Sequence, residues 1–182
     1  MRIIAGEWRG RRIAAPKGDL TRPTADRTRE TLFSMLVSRI GSFDGLQVLD
    51  LFAGSGALGL EALSRGAERC LFVEQDSEAL RALRSNIEAL AARERAVVQA
   101  GSVLQLGPAR SAYDLILLDP PYGTGAGQVA LDRMLRLGWI GPQSWISLET
   151  DSREAVAVAG LAIAAERISG KAKLTLLRAS FK

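Results

Sequence analysis

Residues 119–122 read Asp-Pro-Pro-Tyr and follow a run of four aliphatic residues at 115–118. Two consecutive prolines fix the backbone angle φ and remove two N–H donors, so this bend is stiff and its carbonyl groups are held in place. The Asp119 side chain and the Pro120 carbonyl can accept the two protons of an amino group, which orients the lone pair of its nitrogen. The Tyr122 ring offers a face on which a planar base can stack. We therefore predict a catalytic bend made of Asp119, Pro120, Pro121 and Tyr122.

A glycine-rich loop lies earlier in the chain, where Gly54, Gly56 and Gly59 match the pattern G-x-G-x-x-G. The loop joins a predicted strand to a predicted helix, and its glycines allow a ligand to approach the backbone at the helix N-terminus. Glu74 ends the next predicted strand, and an acid about 20 residues after such a loop accepts hydrogen bonds from a ribose diol. The pattern indicates a cofactor that contains adenosine, and NAD and S-adenosylmethionine both fit it.

Asp50, just before the loop, favours S-adenosylmethionine. A dinucleotide needs positive potential for its pyrophosphate, whereas the ammonium and sulfonium groups of S-adenosylmethionine suit a carboxylate. A second interpretation stays open, in which Asp50 caps the amides of the glycine loop. The predicted cofactor-binding residues are Asp50, Ala53, Gly54, Ser55, Gly56, Glu74, Gln75, Gly101, Ser102 and Val103.

The elements that position these residues alternate between strand and helix, which predicts an α/β fold with a parallel sheet covered on both faces. Ligands of such sheets bind outside the carboxyl ends of the strands, where the loop, Glu74 and the Asp-Pro-Pro-Tyr bend would meet. Residues 161–169 and 172–180 predict a final antiparallel hairpin. The strands are predicted at 47–52, 69–74, 96–100, 113–119 and 144–149, and the helices at 24–41, 56–66, 77–92 and 126–138.

Composition excludes several kinds of site. The 182 residues include no histidine, so a Ser-His-Asp triad and an HExxH zinc site are impossible. The single cysteine, Cys70, allows no internal disulfide and no cysteine-built zinc site, and we predict no metal. The N-terminus lacks the apolar region of a secretory signal and no segment is suited to span a bilayer, so we expect a cytoplasmic protein without membrane contact.

Positive charge is concentrated at the start of the chain. Residues 1–30 hold eight basic and four acidic residues, which accounts for the whole net charge of +4. Such a segment is either a solvated arm or an arm that contacts nucleic-acid phosphates. We interpret residues 1–23 as a basic RNA-binding arm or small hairpin and residues 24–182 as the catalytic domain, and expect deletion of residues 1–18 to spare cofactor binding. The predicted RNA contacts are Arg2, Trp8, Arg9, Arg11, Arg12, Arg22, Arg27 and Arg29.

The motifs taken together resemble a known family. DLFAGSGALG with DPPY is similar to the amino-group methyltransferases that use S-adenosylmethionine, whose signature is [D/N/S]-P-P-[Y/F]. RIIAGEWRGRRI, TRPTADRTRETLF, LDLFAGSGALGLEALSRGA, FVEQD and LLDPPYGTG, in this order, resemble the bacterial 16S ribosomal RNA guanine-N2 methyltransferases over nearly the whole chain. Ser102 departs from many methyltransferases, in which an acid often meets the adenine amine.

The resemblance implies a Rossmann-like class I methyltransferase with a mostly parallel seven-stranded sheet and a C-terminal antiparallel hairpin. It implies direct methyl transfer from S-adenosylmethionine to a guanine N2 of 16S ribosomal RNA, in an assembled or assembling small subunit. A monomer is the default expectation. DNA adenine-N6 methylation uses the same tetrapeptide but usually needs a larger recognition domain. Glutamine-N5 methylation usually employs asparagine at position 119. A nicotinamide oxidoreductase leaves the Asp-Pro-Pro-Tyr bend unexplained, and a non-catalytic RNA-binding module leaves the glycine loop unexplained.

Overall fold

The computed structural model describes residues 1–16 and 23–180 of the chain. Among the helices in these ranges, none is both long and apolar enough to cross a membrane. The elements in chain order are α1 (Pro23–Ile40), β1 (Gln47–Leu51), α2 (Ala57–Ser64), β2 (Arg69–Glu74), α3 (Ser77–Ala89), β3 (Ala96–Ala100), a 3-10 turn (Val103–Gln105), β4 (Tyr113–Leu118), α4 (Ala126–Arg136), β5 (Ile140–Asp151), β6 (Leu161–Ser169) and β7 (Ala172–Ala179).

The seven strands form one sheet in the order β3-β2-β1-β4-β5-β7-β6. The first five strands in this order are parallel, and β7 pairs antiparallel with both β5 and β6. The central strand β4 is fully buried at Leu115–Leu118, as expected for a parallel strand covered on both faces, whereas the edge strand β6 is largely exposed. The predicted fold, with its mostly parallel seven-stranded sheet and antiparallel C-terminal hairpin, is confirmed.

Two hydrophobic cores cover the two faces of the sheet. Side chains alternate between the faces along a strand, so Leu115 and Leu117 belong to one core while Ile116 and Leu118 belong to the other. We call the side of Leu115 and Leu117 the front face, which is covered by α1, α2 and α3, and the opposite side the back face, which is covered by α4. The same alternation therefore decides whether a functional side chain at a strand end lies on the front face or on the back face.

Local signals explain where several elements begin. The Asp76 carboxylate accepts a hydrogen bond from the Ala79 N–H (2.9 Å) and caps α3, as an acid at that position should. Helix α1 begins at Pro23, one residue before the predicted start, and proline suits the first position of a helix. Strand β5 runs from Ile140 to Asp151 and is therefore longer at both ends than the predicted strand at 144–149.

The described part of the predicted arm packs into the catalytic domain. Residues 1–16, the N-terminal hairpin, are joined by a bridge between Arg2 and Arg12, and they bury Ile3, Trp8 and Ile13 in the front core. The hairpin therefore packs against the rest of the fold. Residues 17–22 lie outside the described part of the chain.

Buried polar groups fasten the N-terminal hairpin. The fully buried Glu61 carboxylate accepts hydrogen bonds from the Ile4 N–H (2.8 Å) and the Ala5 N–H (3.1 Å). The Asn86 amide exchanges two hydrogen bonds with the Ala14 backbone and donates a third to the Ser55 carbonyl (2.9 Å) in the glycine loop. A deletion of residues 1–18 would uncover the core and leave these polar groups without partners. Such a deletion would change stability as well as RNA binding, so point substitutions of exposed arginines are the better test of RNA binding.

Candidate active site

A cavity of ≈ 1160 Å³ opens where the carboxyl ends of the parallel strands meet. This is the position at which open α/β sheets bind ligands, and the volume is sufficient for an adenosine cofactor together with part of a second molecule. The predicted site residues on its wall are Ala53, Gly54, Ser55, Glu74, Gln75, Gly101, Ser102, Val103, Asp119, Pro120, Pro121 and Tyr122. The described N-terminal hairpin and α1 contribute further wall residues, Met1, Ala15, Pro16, Ala25, Thr28, Arg29 and Leu32.

The glycine loop bends sharply as it leaves β1. Phe52 has a φ of 57°, in the left-handed region that an aromatic residue seldom adopts, and backbone strain of this kind is concentrated at functional sites. Gly54 also has a φ of 57°, and a Cβ there would meet nothing within 4 Å, so the loop backbone is open to a ligand. Phe52 lines the cavity and was not among the predicted residues, because strain is not visible in sequence.

Gly56 serves the packing of the loop. Its φ is 87°, and a Cβ would lie 2.4 Å from Cδ1 of Leu83 on α3. Gly56 is also absent from the cavity wall. This glycine therefore lets the loop approach α3, and its contact with the cofactor stays a prediction.

Glu74 ties the glycine loop to the end of β2. Its Oε1 accepts a hydrogen bond from the Gly54 N–H (2.8 Å), and its Oε2 accepts from the Gln75 and Asp76 N–H groups (2.8 Å each). A carboxylate has about four acceptor positions, so one on Oε1 remains after these three bonds. The side chain is half-buried on the cavity wall, in a place suited to a hydroxyl ligand.

Asp50 does not line the cavity, which corrects its predicted role. It lies on the front face beneath α2, where its buried Oδ2 accepts a hydrogen bond from the Gly59 N–H (2.9 Å). Burial raises the pKa of Asp50 well above its usual range, the Gly59 bond opposes this, and the charges of Asp119 and Glu74 raise it further. Asp50 supports the first turn of α2, as the second interpretation held.

The loop after β3 supplies a third wall. Gly101 takes a φ of 145°, and its N–H donates to the Glu74 carbonyl (2.8 Å). The Ser102 Oγ accepts a hydrogen bond from the Leu104 N–H (3.2 Å), and Gln105 Oε1 accepts from the Ser102 N–H (3.3 Å), which closes a capping box around the 3-10 turn. The Ser102 hydroxyl retains its proton and one acceptor position for a ligand.

The Asp-Pro-Pro-Tyr bend forms the wall that faces these loops. Asp119 is exposed to the cavity and Pro120 is buried beneath it. Tyr122 is 45% exposed, and its hydroxyl donates a hydrogen bond to Glu149 Oε1 (2.6 Å). Burial, and then the bond to Glu149, raise the pKa of Tyr122 far above its usual range, so the phenol keeps its proton. The Tyr122 ring is therefore accessible to a ligand, and its orientation is fixed by the hydrogen bond to Glu149.

Glu149 was missed in the sequence, although a signal for it existed. It lies at the end of the predicted strand 144–149, and the rule that ligands bind at carboxyl strand ends applies to that strand as well. Burial raises the pKa of Glu149, and the hydrogen bond from Tyr122 partly offsets this. Lys171, in the turn between β6 and β7, also lines the cavity and was not predicted.

The predicted RNA-contacting residues divide into exposed and buried groups. Trp8 is 6% exposed, packs in the front core and lies under the Arg95 guanidinium (5.3 Å from the ring centroid), so it cannot stack on a base. Arg29 is 4% exposed and pairs internally with Asp26 (3.3 Å) and Glu61 (3.7 Å). The Trp8 prediction is corrected, since its side chain is occupied in the core. Arg29 lies on the cavity wall, and its contact with RNA stays a prediction. Arg22 lies outside the described residues, and the exposed residues are Arg2, Arg9, Arg11, Arg12 and Arg27.

Comparison with known proteins gives the family. A family model described as "Conserved hypothetical protein 95" matches residues 1–178. The chain belongs to this family. It is 37% identical to ribosomal RNA small subunit methyltransferase D of Escherichia coli (strain K12) over 151 residues, which cover 83% of this chain and 75% of that protein. It is 36% identical to the protein of the same name from Haemophilus influenzae, over 83% of this chain and 79% of that one.

Solved structures agree with this family assignment. The structure of yhhF from Escherichia coli, a candidate methyltransferase, has a TM-score of 0.86 and 33% identity over 100% of this chain and 99% of that one. A candidate methylase from Haemophilus influenzae has a TM-score of 0.81 and 31% identity over 99% and 98% of the two chains. The resemblance read from the sequence is confirmed at the level of the family, and the chain is a methyltransferase.

Proposed function

We propose that this protein transfers a methyl group from S-adenosylmethionine to the exocyclic N2 of a guanine in the RNA of the small ribosomal subunit. The observation that carries the proposal is the joint presence of the glycine loop, Glu74 and the Asp119–Tyr122 bend on the wall of one cavity. Two relatives named as small-subunit ribosomal RNA methyltransferases support the choice of RNA. Such a substrate would place the enzyme in the cytoplasm, acting as a monomer on an assembled or assembling subunit.

The cavity suits S-adenosylmethionine. Glu74 offers an acceptor for a ribose hydroxyl, and the open backbone at Gly54 leaves room for a ligand. Gly101, Ser102 and Val103 form the wall that would meet the adenine ring, with the Ser102 hydroxyl as a polar contact. Among the described residues, no group of three or more acids and cysteines could hold a metal ion.

When bound, S-adenosylmethionine would supply a methyl group on its sulfonium. The amine lone pair would form the new N–C bond as the C–S bond breaks, and the electron pair of that bond would stay on sulfur. The Asp119 carboxylate and the Pro120 carbonyl would accept the amine protons, orient the lone pair and stabilise the positive charge that develops on nitrogen. The Tyr122 ring would stack the base. The methylated nitrogen carries an acidic proton that water can accept, which suits a chain without histidine.

The decisive test maps the modified nucleotides. Small-subunit RNA from cells that lack this protein should lose one N2-methylguanine, which mass spectrometry of RNA fragments would detect. Restoring the gene should restore the modification, and restoring it with Asp119→Ala should not. Loss of an N6-methyladenine in DNA instead would favour the adenine alternative. Calorimetric binding of NAD in place of S-adenosylmethionine would favour the oxidoreductase alternative.

Replacing Glu74 by alanine should weaken the affinity for S-adenosylmethionine by about 10- to 100-fold, since a hydrogen bond to a carboxylate is lost and the loop loses its anchor. Isothermal titration calorimetry measures this dissociation constant. Glu78→Ala, which removes an exposed acid from the first turn of α3, should leave it unchanged. Wild-type affinity in Glu74→Ala would remove Glu74 from the cofactor site.

The exposed arginines of the N-terminal hairpin allow a test of RNA binding without disturbing the core. The double variant Arg9→Gln, Arg12→Gln should lower the slope of log affinity against log salt concentration by about 0.7 to 0.9 for each arginine that contacts a phosphate. A fluorescence titration with a small-subunit RNA fragment at several salt concentrations measures this slope. Arg110→Gln, Arg136→Gln makes the same charge change at two exposed arginines outside the hairpin, one before β4 and one at the end of α4, and should keep the wild-type slope. Equal slopes in all three proteins would assign RNA binding to another surface.

A further inference from the structure

Glu149 and Asp119 lie side by side at the ends of two neighbouring strands. In the parallel pairing of β4 with β5, Leu118 is opposite Leu148, and strands paired in this way lie about 4.8 Å apart. Asp119 directly follows the last residue of β4, and Glu149 follows Leu148 on β5. Ile146 and Leu148 belong to the back core, and alternation therefore puts Glu149 on the front face. Both acids line the same cavity.

The Glu149 carboxylate is fixed through one of its oxygens. The Tyr122 hydroxyl donates to Oε1 (2.6 Å), while among the described residues neither a cation nor a second donor is paired with Glu149. Placing a carboxylate in a partly buried position without a cation is costly, as the raised pKa of Glu149 reflects. Such a group on a cavity wall is suited to a ligand that brings its own donor.

The donor that fits is the N1–H of guanine. On the Watson–Crick edge of guanine this N–H is next to the N2 amine, so a base whose amine is held by Asp119 presents N1–H to the neighbouring strand end. Adenine has a bare lone pair on N1 beside its N6 amine, which a carboxylate would repel. Enzymes that act on an extruded base read this edge by hydrogen bonds.

We propose that Glu149 recognises the target base by accepting the guanine N1–H on Oε2, while Tyr122 holds Oε1. This inference rests on the proposed function and deepens it, because it gives the reason why the amine of guanine and not that of adenine is methylated. The structure thus assigns two duties to Tyr122, which stacks the base with its ring and orients Glu149 with its hydroxyl.

The test compares guanine with 2-aminopurine, which keeps the amine at C2 and has a lone pair in place of N1–H. A small-subunit RNA fragment that carries either base at the mapped position is methylated under identical conditions, and kcat/KM is measured for both. The wild-type protein should prefer guanine by about 10- to 100-fold. In Glu149→Gln the preference should fall below about threefold, since an amide can accept from N1–H or donate to a bare N1.

Three further measurements make the result specific. Asp151→Asn removes a nearby acid that does not line the cavity, and it should keep the wild-type preference. Tyr122→Phe keeps the ring and should lower the preference less than Glu149→Gln does. Circular dichroism gives the folded fraction of each variant, although partial unfolding lowers both rates equally and leaves their ratio unchanged.

The outcomes separate the inference from the function beneath it. A guanine preference that survives Glu149→Gln, or a wild-type protein that treats the two bases alike, overturns the inference while guanine methylation stands. If the wild-type protein methylates no guanine in the fragment or in the assembled subunit, the proposed function fails, and the role of Glu149 fails with it.

Discussion

Replacing Asp119 by alanine is expected to lower the turnover number by about 100- to 1000-fold, while the affinity for S-adenosylmethionine changes by less than about threefold. The magnitude is that of removing one positioned group which stabilises charge in a transition state. The asymmetry follows from the geometry, because Asp119 follows β4 and Glu74 ends β2, with β1 between them, and Asp119 would contact the amine of the substrate. Single-turnover methylation at saturating cofactor, with calorimetry for the affinity, measures both quantities.

Asp119→Asn is the matched control for this experiment. Asparagine keeps one acceptor oxygen for an amine proton and occurs at the equivalent position of related signatures, so this variant should retain more activity than alanine. A turnover number near the wild-type value in Asp119→Ala would remove Asp119 from the mechanism. A large loss of cofactor affinity would assign it to the cofactor site instead.

Replacing Glu61 by alanine is expected to lower the free energy of unfolding by about 3–5 kcal/mol, the usual cost of removing one partner from a buried ion pair. Glu61 is fully buried, pairs with Arg29 (3.7 Å) and Arg65 (3.0 Å), and accepts the two N–H groups of Ile4 and Ala5. The substitution would leave the buried Arg29 charge and both amides without this acceptor. Urea denaturation followed by circular dichroism measures the effect.

Two variants calibrate the Glu61 result. Glu61→Gln retains the shape and one acceptor oxygen, and should cost less than alanine, which keeps the test informative if Glu61→Ala does not fold. Glu88→Ala breaks an exposed ion pair with Arg93, and should change the free energy of unfolding by less than about 1 kcal/mol. Equal values for Glu61→Ala and Glu88→Ala would show that Glu61 does not contribute to holding the N-terminal hairpin.

The pH dependence of stability has a direction that follows from Asp50 and Glu149. Burial raises the pKa of both acids in the folded chain, so between their unfolded and folded pKa values the folded state binds more protons. Their contribution to stability is therefore present below the unfolded pKa and declines as the pH rises through the folded pKa. Asp50→Asn should remove its part of this decline, and the free energy of unfolding measured against pH would detect the change.

Local sequence patterns predict the order of the elements and the strand ends at which the candidate site lies. Alternating periods of two and 3.6 residues specify strands and helices, the two predicted segments at 161–169 and 172–180 specify the final hairpin, and ligands bind at carboxyl strand ends. The Asp-Pro-Pro-Tyr bend was recognisable because its conformation is local, imposed by two prolines on their own backbone. The glycine loop and Glu74 were recognisable from their spacing at the ends of two predicted strands, and both line the cavity.

The side that each functional group faces, and the groups that it contacts, depend on packing between elements that are far apart in the chain. Asp50 shares the face of Val48 and is covered by α2, so packing turned a predicted ligand contact into a helix support. Trp8 and Arg29 are buried by contacts with residues far along the chain, and no local pattern reveals such partners. The proposed role of Glu149 depends on the register that puts β5 beside β4 and on the hydrogen bond from the Tyr122 hydroxyl. The chemistry of a side chain depends on such neighbours, which the fold brings together.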